Sequence, residues 1–227
     1  MNFRAILFDF DGVLADTEKL HCEAFRRVLA TAGQPFTPDD YFQRYIHFDD
    51  VNVFRNLSAD RRLGWDDARA QSLSERKRVL FKELMGSPDI LFPGAAELVR
   101  ALAARLPLAI CSMGRRDEIE PVLDRGGIRA CFGAVVTSED VRKPKPDPEA
   151  YLLCLERLNA AHGARLTPAE CVVIEDSRGG TRAGHAAGMT VLALTHSLTE
   201  PELRAAGADR IFADLAALER FLTNQRG

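Results

Sequence analysis

No hydrophobic run in this chain approaches the roughly 20 residues that a membrane-spanning helix needs. The opening residues also lack the basic, apolar and small-residue succession of a secretory signal peptide, so a cytoplasmic protein without a membrane partner is expected. Neither charge is in large surplus. Thirty Lys+Arg stand against 33 Asp+Glu, a formal net charge of -3, which gives no basic field of the kind that gathers nucleic acid. The five cysteines (Cys22, Cys111, Cys131, Cys154 and Cys171) form no C-x-x-C pair and are odd in number, which argues against a disulfide framework and for small buried apolar residues. Internal repeats and low-complexity tracts are missing too. The glycine-rich "SRGGTRAG" lacks the G-x-x-x-x-G-K-[ST] pattern of a phosphate cradle. Its Gly179, Gly180, Ala183 and Gly184 are expected to let a helix pack close to its neighbours.

What the chain does have is a rhythm. Short apolar runs recur at 5–10 (AILFDF), 108–112 (LAICS), 134–138 (AVVTS), 171–176 (CVVIED), 190–194 (TVLAL) and 210–213 (RIFA). Continuous rather than alternating, they suit strands buried on both faces of a parallel sheet. Helical spacing lies between them, as at Leu98, Val99, Leu102, Ala103 and Leu106, and at Val122 and Leu123 before the stop signal Gly126-Gly127. Repeated βα units predict an α/β, doubly wound, mainly parallel sheet. The rhythm breaks once, between Asp16 and Gly94, where helical patterns appear without a convincing strand. One pattern runs from His21 through Phe25, Val28 and Leu29 to Gly33, and another ends at Gly86. The reading is a core of residues 1–16 and 89–227 with an all-α insertion at 17–88.

In such sheets, ligands bind outside the carboxyl ends of the strands, and that is where the polar residues of these runs fall. The first run ends in Asp9 and Asp11, two acids that repel one another and are costly to bury without a cation or hydrogen-bond donors. Alone, the pair also reads as a solvated Asp-Gly turn. The other runs add Ser112, then Glu175 and Asp176, and Lys143 soon after the third. Carboxylates that leave room for water and phosphate suit Mg²⁺, and the set suits phosphoryl transfer.

The motifs "FDFDGVLADT", "CSMG", "KPKPDPEAY" and "VIEDSRGGTRAGHAAGM" stand in the order and near the separations found in the haloacid dehalogenase superfamily. The chain resembles that superfamily's phosphatase and sugar-phosphate mutase branch over nearly its whole length. The resemblance implies Asp9 as nucleophile, forming an aspartyl-phosphate, and Asp11 as general acid and base. It also implies Mg²⁺ held by Asp9, the Asp11 backbone carbonyl and Asp176, with Glu175 as a further ligand or as the holder of a metal-bound water. Ser112 and Lys143 would grip the phosphoryl oxygens. Lys143 is preferred to Lys145 because it opens "KPxPD", whereas prolines on each side of Lys145 suggest an exposed turn; Asp147 is read as bracing this loop. The insertion would be a cap closing over the site, hinged near Thr17 and Pro88. His21, Gly114 and Arg115 are candidate substrate contacts; Arg116 adjoins them, although a solvated helix start fits both arginines as well.

Asp11 also separates activities. The halide-removing members lack this second acid, so phosphorus is the expected electrophile. Mutase relatives usually carry a G-x-S-R-like cap loop whose arginine holds a second phosphate, but here the region reads Tyr45-Ile46-His47-Phe48-Asp49-Asp50. That departure favours a phosphatase of a small phosphorylated metabolite over a phosphomutase. A non-catalytic binding protein on the same fold is the alternative from another class. Nothing in the sequence demands more than a monomer.

Overall fold

Ala5, Ile6, Leu7 and Phe8 are wholly inaccessible, so the first strand is covered on both faces, as its unbroken apolar run predicts. A computed structural model describes residues 3–46, 48–86 and 90–224. Its strands are β1 (Ala5–Phe8), β2 (Leu108–Cys111), β3 (Phe132–Val136), β4 (Cys171–Glu175), β5 (Thr190–Leu194) and β6 (Arg210–Phe212). They form one sheet in the order β3-β2-β1-β4-β5-β6, and every pairing is parallel. The α/β doubly wound expectation is met. Because the strands are parallel, their carboxyl ends share one edge. Because the order reverses at β1, between β2 and β4, a crevice opens at that end.

The elements that position the site follow from this order. The amide of Asp9 donates to Ile174 O at 2.9 Å and that of Ser112 to Val136 O at 3.0 Å, extending the ladders one residue past β1 and β2. The helix Glu149–His162 buries Tyr151, Cys154, Leu155 and Leu158, the i, i+3, i+4, i+7 stripe of an amphipathic helix. They join Ala109, Cys111, Val136 and Val173 in one core cluster. Each such aliphatic or aromatic side chain contributes roughly 1.5–3 kcal/mol on burial.

The chain divides into two compact units, Met1–Asp16 with Pro88–Gly227, and Thr17–Ser87. In the first, the connections leaving and re-entering the sheet run side by side: Asp16 N donates to Ile90 O and Phe92 N to Leu14 O, both at 2.9 Å. The expected hinge at Pro88 lies outside the described residues.

The second unit consists of α1 (Glu18–Thr31), α2 (Pro38–Asp40) running into a π-helical turn at Tyr41–Tyr45, α3 (Asp50–Arg61) and α4 (Asp67–Leu84). Its own core gathers Phe25, Val28, Leu29, Phe36, Tyr41, Tyr45, Phe54, Leu57 and Leu73. The paired acids Asp49 and Asp50 take separate jobs there. Asp49 caps α3 by accepting from Asn52 N at 2.9 Å, and Asp50 accepts from the Lys77 ammonium at 2.8 Å.

All five cysteines are unpaired, and four of them are buried. Among the described residues no helix is long and apolar enough to cross a membrane.

Candidate active site

The first strand delivers Asp9 into a protein interior, where it is 8% exposed. Beyond it the chain turns sharply, with Phe10 O accepting from Leu14 N at 2.9 Å and Ala15 N at 3.0 Å, and Gly12 N donating to Ala15 O at 2.8 Å. Gly12 has φ +73°, and a Cβ there would stand 1.9 Å from Asp176 Oδ2. Glycine is therefore required twice, for the left-handed backbone and for the close approach.

Ser112, at the end of β2, donates through Oγ to Asp11 Oδ2 at 3.1 Å and accepts from Gly114 N at 2.9 Å. A Cβ on Gly114 would lie 3.1 Å from Asp11 Oδ2, so the backbone of this loop runs directly beside the acid.

The lysine that reaches these acids is Lys145, not the expected Lys143. The Lys145 ammonium donates to Asp9 Oδ1 at 2.6 Å, Cys111 O at 2.8 Å and Glu175 Oε1 at 2.8 Å. It lies 4.7 Å from the centroid of the Tyr151 ring. The side chain of Lys145 is 6% exposed, whereas that of Lys143 is 71% exposed and lies 3.7 Å from Asp147. The sequence holds two overlapping K-P-x-P matches, Lys143-Pro144-Lys145-Pro146 and Lys145-Pro146-Asp147-Pro148, and the fold selects the second. The flanking prolines stiffen the loop that delivers Lys145 inward. Asp147 braces it, accepting from Glu149 N at 3.0 Å.

At the end of β4, Glu175 is wholly buried. Its Oε1 accepts from Lys145 and from the Tyr151 hydroxyl at 2.8 Å. Its Oε2 accepts from Asp176 N at 3.1 Å, Ser177 N at 3.0 Å and Ser177 Oγ at 2.8 Å. Five donors fill a carboxylate that offers about four lone-pair directions. Glu175 therefore anchors the turn and the lysine, and a cation would have to displace one of those donors. Gly180 makes room for it: a Cβ there would stand 1.5 Å from Glu175 Oε1. The close packing expected of the glycine-rich stretch thus reaches the site at Gly180 and the sheet at Gly184, where a Cβ would stand 2.8 Å from Val191, both on the helix Arg178–Ala186.

The electrostatics are lopsided. Burial pushes Asp9 up to about 8; Lys145 pulls it down, while Glu175 and Asp11 push it further up. Burial would also lower Lys145, but Asp9 and Glu175 outweigh it and hold the ammonium well above its ordinary value. Glu175, raised by burial, is brought below its ordinary value by Lys145 and its hydrogen bonds. Carboxylate oxygens of Asp9, Glu175 and Asp176 lie within 4.8 Å of one another. One ammonium does not fully offset this charge, and the hard oxygen donors fit a divalent cation such as Mg²⁺.

The remaining candidates sit as follows. Arg115 is engaged by Glu139 at 2.8 Å and Asp117 at 3.3 Å, and Arg116 by Asp140 at 2.6 Å and Glu120 at 3.1 Å; both arginines have ion-pair partners on the α/β unit. His21, in the helical unit, accepts through Nδ1 from Lys77 and stacks on Phe81 with centroids 4.0 Å apart. Burial and the Lys77 charge hold its imidazole well below its ordinary pKa, so it is a neutral acceptor. Sequence reading missed three residues, Tyr151, His196 and Ser197. His196 Nδ1 pairs with Gly12 O at 2.8 Å and Ser197 Oγ donates to Asp176 Oδ2. For His196 and Ser197 the signal was a polar trio, Thr195-His196-Ser197, directly after a fifth buried run.

Residues 3–188 match the haloacid dehalogenase-like hydrolase family. A "Phosphorylated carbohydrates phosphatase" of Thermotoga maritima is 35% identical over 199 residues, covering 86% of this chain and 87% of that protein. The crystal structure of a putative beta-phosphoglucomutase from Thermotoga maritima superposes with a TM-score of 0.78 at 30% identity, over 98% of this chain and 100% of that one. That of CbbY from Rhodobacter sphaeroides in complex with phosphate gives 0.74 at 27% identity, over 95% and 96%. The chain belongs to the haloacid dehalogenase-like hydrolases. Together with the acid pair at the end of β1, these relatives place it among that family's phosphatases.

Proposed function

We propose that this chain hydrolyses a small phosphomonoester, a phosphorylated sugar or related metabolite, through an aspartyl-phosphate on Asp9. The observation that supports it most is the convergence on one sheet edge of a buried Asp9 bonded to Lys145 and an Asp11 oriented by Ser112. In this reading an Asp9 carboxylate oxygen attacks phosphorus, and the bond from phosphorus to the ester oxygen breaks as Asp11 protonates the departing alcohol. Asp11, now a carboxylate, takes a proton from water as that water attacks the aspartyl-phosphate, releasing inorganic phosphate and restoring Asp9. Ser112 keeps Asp11 aimed during both proton transfers. Lys145 draws negative charge from the phosphoryl oxygens and fixes Asp9 in place. Asp9, the Asp11 carbonyl and Asp176 would hold Mg²⁺, with Glu175 anchoring the neighbouring turn; when bound, the cation supplies the positive charge that offsets carboxylate–phosphate repulsion.

The helical unit is proposed to act as the cap. Its Asp49-Asp50 pair gives the cap loop no guanidinium for a second phosphate, which favours hydrolysis over mutation of a bisphosphate. The test is a panel of phosphorylated metabolites with and without Mg²⁺. Inorganic phosphate should be released from a hexose phosphate, Asp9→Asn should fall to background, and Asp11→Asn should accumulate aspartyl-phosphate detectable by mass. Conversion of hexose 1-phosphate to 6-phosphate with a bisphosphate primer would overturn the ranking.

A further inference from the structure

The loop that follows β5, residues 195–197, adds a strand end to those that build the site. Ser197 Oγ donates to Asp176 Oδ2. On the other side of that oxygen lies Gly12, where a Cβ would stand 1.9 Å from Asp176 Oδ2 and 3.0 Å from Ser197 Oγ. Asp176 Oδ2 thus occupies a slot between the hydroxyl of Ser197 and the bare Cα of Gly12. The loop that carries Ser197 is itself tied down. His196 Nδ1 pairs with Gly12 O at 2.8 Å, and its ring lies on Phe92, with centroids 4.3 Å apart and planes at 32°. Phe92 in turn donates its amide to Leu14 O at 2.9 Å. One short loop therefore holds both the Asp176 carboxylate and the turn that carries Asp11.

We infer that Ser197 is a positioning residue that fixes the Asp176 carboxylate for the cation. The inference rests on the Mg²⁺-dependent reading above. A carboxylate that receives a hydroxyl hydrogen bond at one oxygen loses a rotational freedom, and the other oxygen is then presented along a set direction. Loss of such supporting donors costs metal affinity or activity. Ser197 would touch neither substrate nor the reacting atoms, and its effect would pass entirely through Asp176. His196 supports the same geometry by closing the loop onto Gly12.

The test measures Mg²⁺ binding to the full chain by titration calorimetry, alongside the Mg²⁺ dependence of phosphate release. Ser197→Ala should weaken Mg²⁺ binding by about 10-fold, within the range for lost supporting hydrogen bonds. At saturating Mg²⁺ its KM for the phosphomonoester should stay within about twofold of wild type, and most of kcat should return. Ser197→Thr keeps the hydroxyl and should restore wild-type Mg²⁺ affinity. Thermal unfolding without Mg²⁺ checks that each variant is folded, and the Thr variant carries the comparison should the Ala variant not fold. Equal Mg²⁺ affinity in wild type and Ser197→Ala overturns the inference alone. So does a loss of activity that excess Mg²⁺ does not relieve. Wild type that binds no Mg²⁺ and releases phosphate in chelator overturns the inference together with the metal-dependent reading.

Discussion

Lys77 and Lys145 are two buried ammonium groups set over aromatic rings, one in each unit, and their surroundings differ in charge. Lys77 is 1% exposed and donates to Asp50, whose side chain is 35% exposed. It lies 4.7 Å from the Phe25 ring centroid and 4.8 Å from that of Phe81, and it also donates to the neutral His21. A cation held by a carboxylate and set on two rings is an arrangement of the kind that a folded core tolerates. Lys145 meets two buried carboxylates directly, with Asp176 beside them and the Asp11 charge also acting on Asp9. That excess of negative charge is a cost to the fold, and it is the kind of surroundings that a divalent cation would relieve. Burial of a lysine therefore says little by itself; the sum of the charges around it separates a structural pair from a chemical one.

The comparison predicts its largest effect at Lys145. Lys145→Met removes the donor that holds Asp9 and Glu175 and should lower kcat about 10²–10³-fold, as loss of a preorganised charge-stabilising donor does. Initial rates at saturating Mg²⁺ would measure it. An effect below tenfold would mean that Asp9 is held by something other than this ammonium.

Lys77→Met should act on stability instead. It leaves Asp50 without its ammonium, but Asp50 is partly exposed and water takes up much of the loss. We expect about 1–3 kcal/mol of destabilisation in denaturant unfolding, less than the roughly 3–5 kcal/mol of a fully buried broken pair. If the variant unfolds like wild type yet loses turnover as Lys145→Met does, the division between the two lysines fails.

Asp140 presents the inverse case, one carboxylate held by two arginines. It accepts from Arg116 at 2.6 Å and pairs with Arg157 at 2.9 Å, and it also accepts from Thr137 N at 2.8 Å. Burial raises its pKa, but the bonds from Arg157 and Thr137 and the Arg116 charge outweigh that and bring it down to about 2 from 3.8. A carboxylate depressed in the folded state contributes stability that is complete above its unfolded pKa and is lost as pH falls through the folded value. Asp140→Asn should therefore cost about 1–2 kcal/mol at neutral pH, allowing for solvent screening around partly exposed arginines. The gap from wild type should close between about pH 4 and pH 2. Denaturant midpoints across that range would show it, and a gap constant with pH would reject the assignment.

These contrasts also explain what was legible in the sequence. The strands could be read because residues such as Val172, Val173 and Ile174 are buried on both faces and leave an unbroken apolar signature. β3 was read two residues late, since exposed Gly133 hides the start at Phe132, and its expected last residues belong to a turn in which Thr137 N binds Asp140. Helix α3 has no comparably clean signature, because Asp49-Asp50 reads as a charge pair as readily as a cap followed by a helix. The acids Asp9, Asp11, Glu175 and Asp176 stood out because polar residues at the ends of buried runs are conspicuous. Tyr151 and Ser197 did not, because each meets its carboxylate partner only after the sheet brings separate strand ends together.

The smallest expected effect tests the overlapping lysine motif most sharply. Lys143 satisfies the local pattern as well as Lys145 does, and sequence reasoning preferred it. Two residues along a proline-stiffened loop decide the matter: Lys145 projects to β1 and β4, while the Lys143 ammonium stays in solvent, 3.7 Å from Asp147. An exposed pair of this kind contributes about 0.2–1 kcal/mol at most. Lys143→Ala should accordingly change kcat and KM by less than about twofold and leave the unfolding midpoint nearly in place. A loss of turnover comparable with that of Lys145→Met would return the phosphate-contacting role to Lys143. It would also mean that the loop rearranges when substrate binds, exchanging one ammonium for the other at Asp9.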